Sequence, residues 1–207
     1  MDYLLYYSPG ACSLAPHIAL EWARASYDAW SVRPQSPELI AISPIGAVPV
    51  LQRSDGWVLN QAGAILHYLA RRFPEARMGS DGSLDGDAEF DRWSSYFTGD
   101  LHPVFYPLFS AERYTTDTDP CALDNVRAAA FNLVRKKLSV LDTQLSHNTY
   151  VLGERRTVLD AYALPMLRWA DSQLPEHLSE FHCVAALKAR LEDDPDVRRV
   201  LDIEAGG

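Results

Sequence analysis

A mixed α/β unit followed by an all-helical unit is the architecture that this 207-residue chain predicts. Three observations carry it. The first 78 residues read as short apolar runs and helical stretches in the order βαβ then ββα, whereas the rest shows helical periodicity and no convincing strand pattern. A Gly/Ser/Asp-rich stretch, Met78-Gly-Ser-Asp-Gly-Ser-Leu-Asp-Gly86, reads as a linker between them. The charge also breaks there: residues 1–78 carry six Arg and six acids, while residues 79–207 carry 13 bases and 22 acids. The expected units are therefore 1–78 and 86–207.

Tyr3-Leu-Leu-Tyr-Tyr7, closed by Ser-Pro-Gly, predicts a buried strand. Leu14 to Arg24 spaces Leu14, Ile18, Ala19 and Trp22 as a helix face, after a Ser able to cap it. Tyr27 to Val32 predicts a second strand, Val48 to Gln52 a third and Trp57 to Leu59 a fourth. Ser54-Asp-Gly56 between the last two is a hairpin signal. Gly63 to Phe73 predicts a helix that Pro74 stops. The βαβ half should be parallel with a right-handed crossover, and the hairpin half antiparallel. In the second unit, helices are expected over Asp85–Glu112, Ala122–Leu145, Leu159–Gln173, Val184–Leu191 and Val197–Ile203. Pro103 and Pro107 should kink the first of these. Thr157-Val-Leu-Asp160 is a capping box at the start of the third.

The composition, 47% hydrophobic and 23% charged, is that of a globular protein. A net charge of −9 argues against nucleic acid, because phosphate binding needs a basic surface. No run of 18 apolar residues suggests a membrane span, and Met-Asp-Tyr-Leu-Leu lacks a signal-peptide pattern. Cys12, Cys121 and Cys183 are odd in number and far apart, which points away from a disulfide framework or a zinc site and towards the cytoplasm. The histidines have no metal-ligand spacing, and nucleotide and serine-hydrolase motifs are missing.

Cys12 is the sharpest candidate for chemistry. It sits in a strand-to-helix turn, Pro9-Gly-Ala-Cys-Ser13, where a helix N-terminus is expected to lower a thiol pKa. The competing reading is a small buried Cys that only packs. Ser13 can either donate to a sulfur anion or cap the helix. Pro49 must lie at an edge, a strand start or a turn. Spacing alone favours an edge-strand proline, while a cis Val48–Pro49 bond would expose the backbone of Val48 to a ligand. Asn60-Gln-Ala-Gly63 opens a helix whose amides can hold a carboxylate, or is a plain cap. His102, Tyr106 and Phe109 in Leu101-His-Pro-Val-Phe-Tyr-Pro-Leu-Phe109, with Trp169 on a later helix, form either core or a pocket wall.

These motifs converge. Tyr6-Tyr-Ser-Pro-Gly-Ala-Cys-Ser-Leu-Ala-Pro-His-Ile-Ala-Leu20 closely resembles the start of bacterial beta-class glutathione transferases. Ile42-Ser-Pro-Ile-Gly-Ala-Val-Pro-Val-Leu51 is similar to that family's cis-proline segment, and Ala64-Ile-Leu-His-Tyr-Leu69 to its third helix. The segments 101–109 and 157–162 resemble its helical-domain signatures, so the likeness runs collinearly along nearly the whole chain. The resemblance implies a thioredoxin-like N-terminal domain, an all-helical C-terminal domain, a homodimer, and glutathione as substrate with no metal or other cofactor. It implies Cys12 as the active-site cysteine with Ser13 beside it. Val48 would be the residue whose backbone pairs with the cysteinyl part of glutathione, and Pro49 the cis-proline. His102 would lie near the thiol, and Tyr106, Phe109 and Trp169 would face an apolar electrophile.

The chain departs from the family pattern where polar partners for glutathione are expected. The pair at the start of the third helix is Gln61-Ala62 rather than an acid followed by Ser or Gly, and Ile45 and Ala47 replace the common Lys and Gln. Pro103 follows His102 where Lys is frequent, and the segment Arg33 to Glu38 is short, leaving Arg33 and Gln35 as candidates for the glycyl carboxylate. Losing two polar contacts costs on the order of 2–4 kcal/mol, roughly 30- to 1000-fold in affinity. The implied activity is conjugation of the glutathione thiol to an electrophile, with thiol–disulfide chemistry through Cys12 as an addition. The alternatives are a non-catalytic ligand or protein binder on the same fold, and a glutathione-dependent reductase or peroxidase.

Overall fold

The computed structural model describes residues 2–206. Strand β1 (Tyr3–Tyr7) leads into helix α1 (Leu14–Trp22) and strand β2 (Tyr27–Ser31). β1 and β2 are parallel, with Tyr3 opposite Tyr27 and Tyr7 opposite Ser31. Strand β3 (Val50–Arg53) runs antiparallel to β1, and β4 (Val58–Asn60) antiparallel to β3, giving the order β2-β1-β3-β4. The hairpin turns at Ser54-Asp-Gly56, where Gly56 has φ +89° and the Arg53 amide donates to the Trp57 carbonyl at 2.8 Å.

Helix α2 (Pro37–Ile42) has no counterpart among the sequence expectations. It is a six-residue helix that buries only Leu39, too short for a periodic stripe. Its local signal is Ser36, which accepts from the Leu39 amide, followed by Pro37 in the first turn. Helix α3 (Ala62–Arg72) buries Ile65, Leu66 and Leu69 on one face.

The expected linker is tied down rather than free. Met78 is buried, and its carbonyl accepts from the Val158 amide at 2.9 Å. Helix α4 (Leu84–Ser95) already begins inside the stretch, capped by Ser83 onto the Gly86 amide at 3.0 Å. The long helix expected over 85–112 is broken after Ser95. A π-helical turn (Tyr96–Leu101), a 3-10 turn (Pro103–Phe105), the short helix α5 (Tyr106–Phe109) and a second 3-10 turn (Ala111–Arg113) follow. Pro103 and Pro107 lack the amides that a regular helix needs, so the chain widens, then tightens, rather than kinking once.

Helix α6 (Pro120–Leu145) buries Ala130, Val134, Leu138, Leu141 and Leu145, a stripe with steps of three or four. Helix α7 (Val158–Gln173) is central and buried on nearly all sides over its first ten residues. The capping box forms as expected: Thr157 accepts from the Leu159 amide, and Asp160 reaches back to the Thr157 amide at 2.7 Å. Helices α8 (His182–Asp193) and α9 (Pro195–Gly206) complete the unit. One apolar cluster runs through both units, from Leu5 and Ile18 to Phe97 and Leu164. Helix α9 also pins α1 through Glu204 on buried His17 (3.0 Å), and the turn after α1 through Asp196 on Arg24 (2.8 Å).

Candidate active site

The turn between β1 and α1 places Cys12 beside the loop that precedes β3. The Val48–Pro49 bond in that loop is cis. The Cys12 thiol donates to the Val48 carbonyl at 3.7 Å. The lowered thiol pKa expected from the helix N-terminus is corrected here: burial pushes the Cys12 thiol up to about 12. Desolvation disfavours the thiolate more than its backbone hydrogen bond favours it. Ser13 neither caps α1 nor faces the cleft. It is buried, already helical at φ −61°, and its hydroxyl accepts from the Ser8 amide (3.1 Å) and donates to the Ser8 carbonyl (3.2 Å). Tyr6 and Tyr7 are also turned away: Tyr6 donates to Gln52 at 2.9 Å, and Tyr7 packs on His17.

The N-terminus of α3 closes the same space. Gln61 precedes it with φ +71°, so the cap residue sits in a conformation that few non-glycine side chains adopt. The amides that open α3 have no partners within the helix. Asn60 ends β4 instead of capping, and its amide donates to Ser43 at 3.1 Å. Gly63 permits the close approach of the helical unit, since a Cβ there would meet the Thr98 methyl at 2.7 Å. Gln35 is not free for a ligand carboxylate: its side-chain amide donates to the carbonyls of Ile45 (3.0 Å) and Gly46 (3.1 Å). Arg33 is exposed and lies outside the cleft lining.

The helical unit supplies the facing wall. The π-helical turn swings His102 into the cleft, together with Thr98, while α5 brings Tyr106 and α7 brings Tyr162. His102 Nδ1 lies 2.9 Å from the Tyr162 hydroxyl. Burial lowers the His102 imidazole to about 4, so it is neutral at physiological pH. Phe109 and Trp169 stand beyond it as an aromatic shelf, with Trp169 5.2 Å from His102 and 5.2 Å from Phe109. Trp169 also spans the two units, its indole N–H donating to the Gly10 carbonyl at 2.7 Å. The cleft encloses about 420 Å³. Among the described residues no Asp, Glu, Lys or Arg lines it. A larger opening of about 510 Å³ beside α3 and the linker is edged by mixed charges and holds no cysteine.

The structure thus gathers Cys12, Val48, Pro49, Gln61, Ala62, His102 and Tyr106 in one cleft. Thr98 and Tyr162 join them unforeseen. Thr98 carried no motif, and Tyr162 entered only as the last residue of the 157–162 segment, with no role of its own. Only the fold brings its hydroxyl to a histidine 60 positions away.

A four-stranded sheet flanked by helices, joined to a helical unit with a cis-proline and an N-terminal cysteine at the junction, defines the class. The chain belongs to the glutathione S-transferase family. Residues 10–72 match the family's N-terminal domain and residues 124–202 its C-terminal domain. It is 34% identical over 203 residues to glutathione S-transferase GST-4.5 of Xanthomonas campestris pv. campestris, covering 97% of this chain and 98% of the relative. A glutathione S-transferase structure from Xylella fastidiosa is 36% identical with a TM-score of 0.90, over 98% of each chain. A sphingomonad glutathione S-transferase complexed with glutathione is 29% identical with a TM-score of 0.86, over 99% of this chain and 100% of that one.

Proposed function

We propose that this chain is a glutathione transferase that joins the glutathione sulfur to an electrophilic small molecule. The observation that carries the reading is the cleft in which Cys12, the Val48 carbonyl and the N-terminus of α3 face His102 and Tyr106. An extended peptide lying along the cis-proline loop pairs with the Val48 backbone. The unpaired amides at the start of α3 hold its γ-glutamyl carboxylate. Pairing with the Val48 carbonyl takes the acceptor that Cys12 now uses, which frees the thiol proton to point at the substrate sulfur. The substrate thiol gives up its proton to solvent water, its thiolate attacks the electrophilic carbon, a C–S bond forms, and the leaving group departs with its electron pair. Holding the two reactants together supplies much of the rate.

Cys12 is a hydrogen-bond donor in this scheme. A thiol pushed up to about 12 is protonated at neutral pH, which favours conjugation over disulfide exchange through Cys12. Tyr106 and Phe109, both exposed, give an apolar electrophile an aromatic surface, with Trp169 behind them. Glutathione is a substrate here, not a resident cofactor, and the working form is a cytoplasmic homodimer. The test is titration calorimetry with glutathione, followed by a conjugation assay with 1-chloro-2,4-dinitrobenzene. Saturable heat and thioether formation are expected; neither at millimolar glutathione overturns the reading.

One observation favours a second reading, a binding protein without turnover. The lining of uncharged residues offers no ion pair to either glutathione carboxylate. That reading requires saturable binding of an apolar ligand with no conjugate formed.

A further inference from the structure

We infer that Tyr162 is a positioning residue for the transfer reaction: its hydroxyl donates to His102 Nδ1 and so holds His102 as the tautomer that presents an Nε2–H donor to the substrate sulfur. The inference deepens the functional reading above and rests on it.

The argument starts from what a buried phenol needs. Tyr162 is almost fully buried on α7, and His102, directly after the π-helical turn, is nearly as enclosed. Their 2.9 Å contact is the one hydrogen bond found for the Tyr162 hydroxyl among the described residues. A contact between a phenol and an imidazole nitrogen can run either way. If Nδ1–H donated to the phenol oxygen, the Tyr162 O–H would have no protein acceptor among the described residues, and a largely buried donor without one is costly. If Tyr162 O–H donates to a bare Nδ1, both groups are satisfied. The second arrangement places the imidazole proton on Nε2.

Nε2 makes no hydrogen bond to the described residues, while His102 and Tyr162 line the same cleft as Cys12. The ring is also held sterically. It meets Tyr162 edge-on at 5.8 Å, with Tyr106 at 5.1 Å and Trp169 at 5.2 Å on other sides. A neutral ring with its proton fixed on Nε2 cannot take the thiol proton at that nitrogen. It can donate to a sulfur anion as charge develops there. A rigid donor of this kind needs no reorganisation when the thiolate forms.

The experiment has a static arm and a kinetic arm. In ¹⁵N-labelled native protein, histidine NMR at pH 7 should show His102 with a protonated Nε2 and a bare Nδ1; the opposite pattern overturns the inference. This arm needs no turnover, so a chain that makes no conjugate fails the functional reading while the tautomer is still decided. In the kinetic arm, Tyr162→Phe keeps the ring, and its folding is checked by thermal melting. Its kcat should fall about tenfold, as for loss of a group that orients a working residue, with KM for glutathione within about twofold. An unchanged kcat overturns the proposal. His102→Gln places an amide N–H near the Nε2 position, whereas His102→Asn does not. The Gln variant should retain about ten times the kcat of the Asn variant; equal losses would show that no Nε2–H donor is used.

Discussion

On the thioredoxin-like side of the cleft the presenting groups are mostly backbone: the Val48 carbonyl and the amides that open α3, with the Cys12 thiol between them. On the helical side they are side chains: His102, Tyr106 and Tyr162, each from a different segment. The difference has a physical consequence. A backbone wall keeps its hydrogen-bonding groups whatever side chains it carries, so Ile45, Ala47 and Ala62 can replace polar residues without dismantling it. A side-chain wall depends on every residue and on the helices that hold it. Recognition of a peptide suits the first wall, and tuning of the reaction suits the second.

The largest effect is expected beneath the side-chain wall. Asp160 is fully buried two residues before Tyr162 and accepts from the Val151 amide (2.9 Å), the Thr157 amide (2.7 Å) and the Thr157 hydroxyl (3.1 Å). Asp160→Ala leaves these donors unpaired and should lower unfolding stability by about 3 kcal/mol in urea titration. The same carboxyl offers a pH test. Burial raises it to about 6 in the folded chain, against 3.8 ordinarily. The folded state therefore binds its proton more tightly than the unfolded state. That contribution is fully present below about pH 4 and is lost as pH rises through 6. Native stability minus that of Asp160→Asn should decline from pH 4 to pH 7; a flat difference would show that the hydrogen bonds cancel the burial.

A smaller effect should sharpen the backbone wall. Gln61→Glu with Ala62→Ser adds a charged and a hydroxyl partner for the γ-glutamyl group. At about 2 kcal/mol for two regained polar partners, KM for glutathione should fall about 30-fold with kcat unchanged. A change in kcat alone would place those residues in the chemistry instead. The smallest effect is at the joint between the walls. Trp169→Phe removes the hydrogen bond to the Gly10 carbonyl, which is solvent-exposed, and should cost less than about 1 kcal/mol of stability.

Much of the backbone wall was legible in the sequence because it is local. A strand, a turn with Pro-Gly and Cys12, a Val48-Pro49 pair and an Asn60-Gln-Ala-Gly63 helix start are contiguous signals, and each fell close to its expected place. Helix α2 was not legible, because six residues with one buried side chain make no period. On the helical side the sequence supplied His102 and Tyr106 as aromatic residues near prolines. It did not show that Pro103 and Pro107 sit in a run of π, 3-10 and short α turns, which turns His102 inward.

Composition, periodicity and punctuation by Gly and Pro determined the two units and the order of the strands along the chain, and contiguous motifs carried the family resemblance, because all these signals depend on neighbours along the chain. The protonation of Cys12, the engagement of Gln35 with its own loop, the withdrawal of Ser13 and the pairing of His102 with Tyr162 were decided only in three dimensions. Each depends on desolvation or on a partner distant in sequence. Burial and hydrogen-bond geometry belong to the packed molecule, and no stretch of the chain contains them by itself.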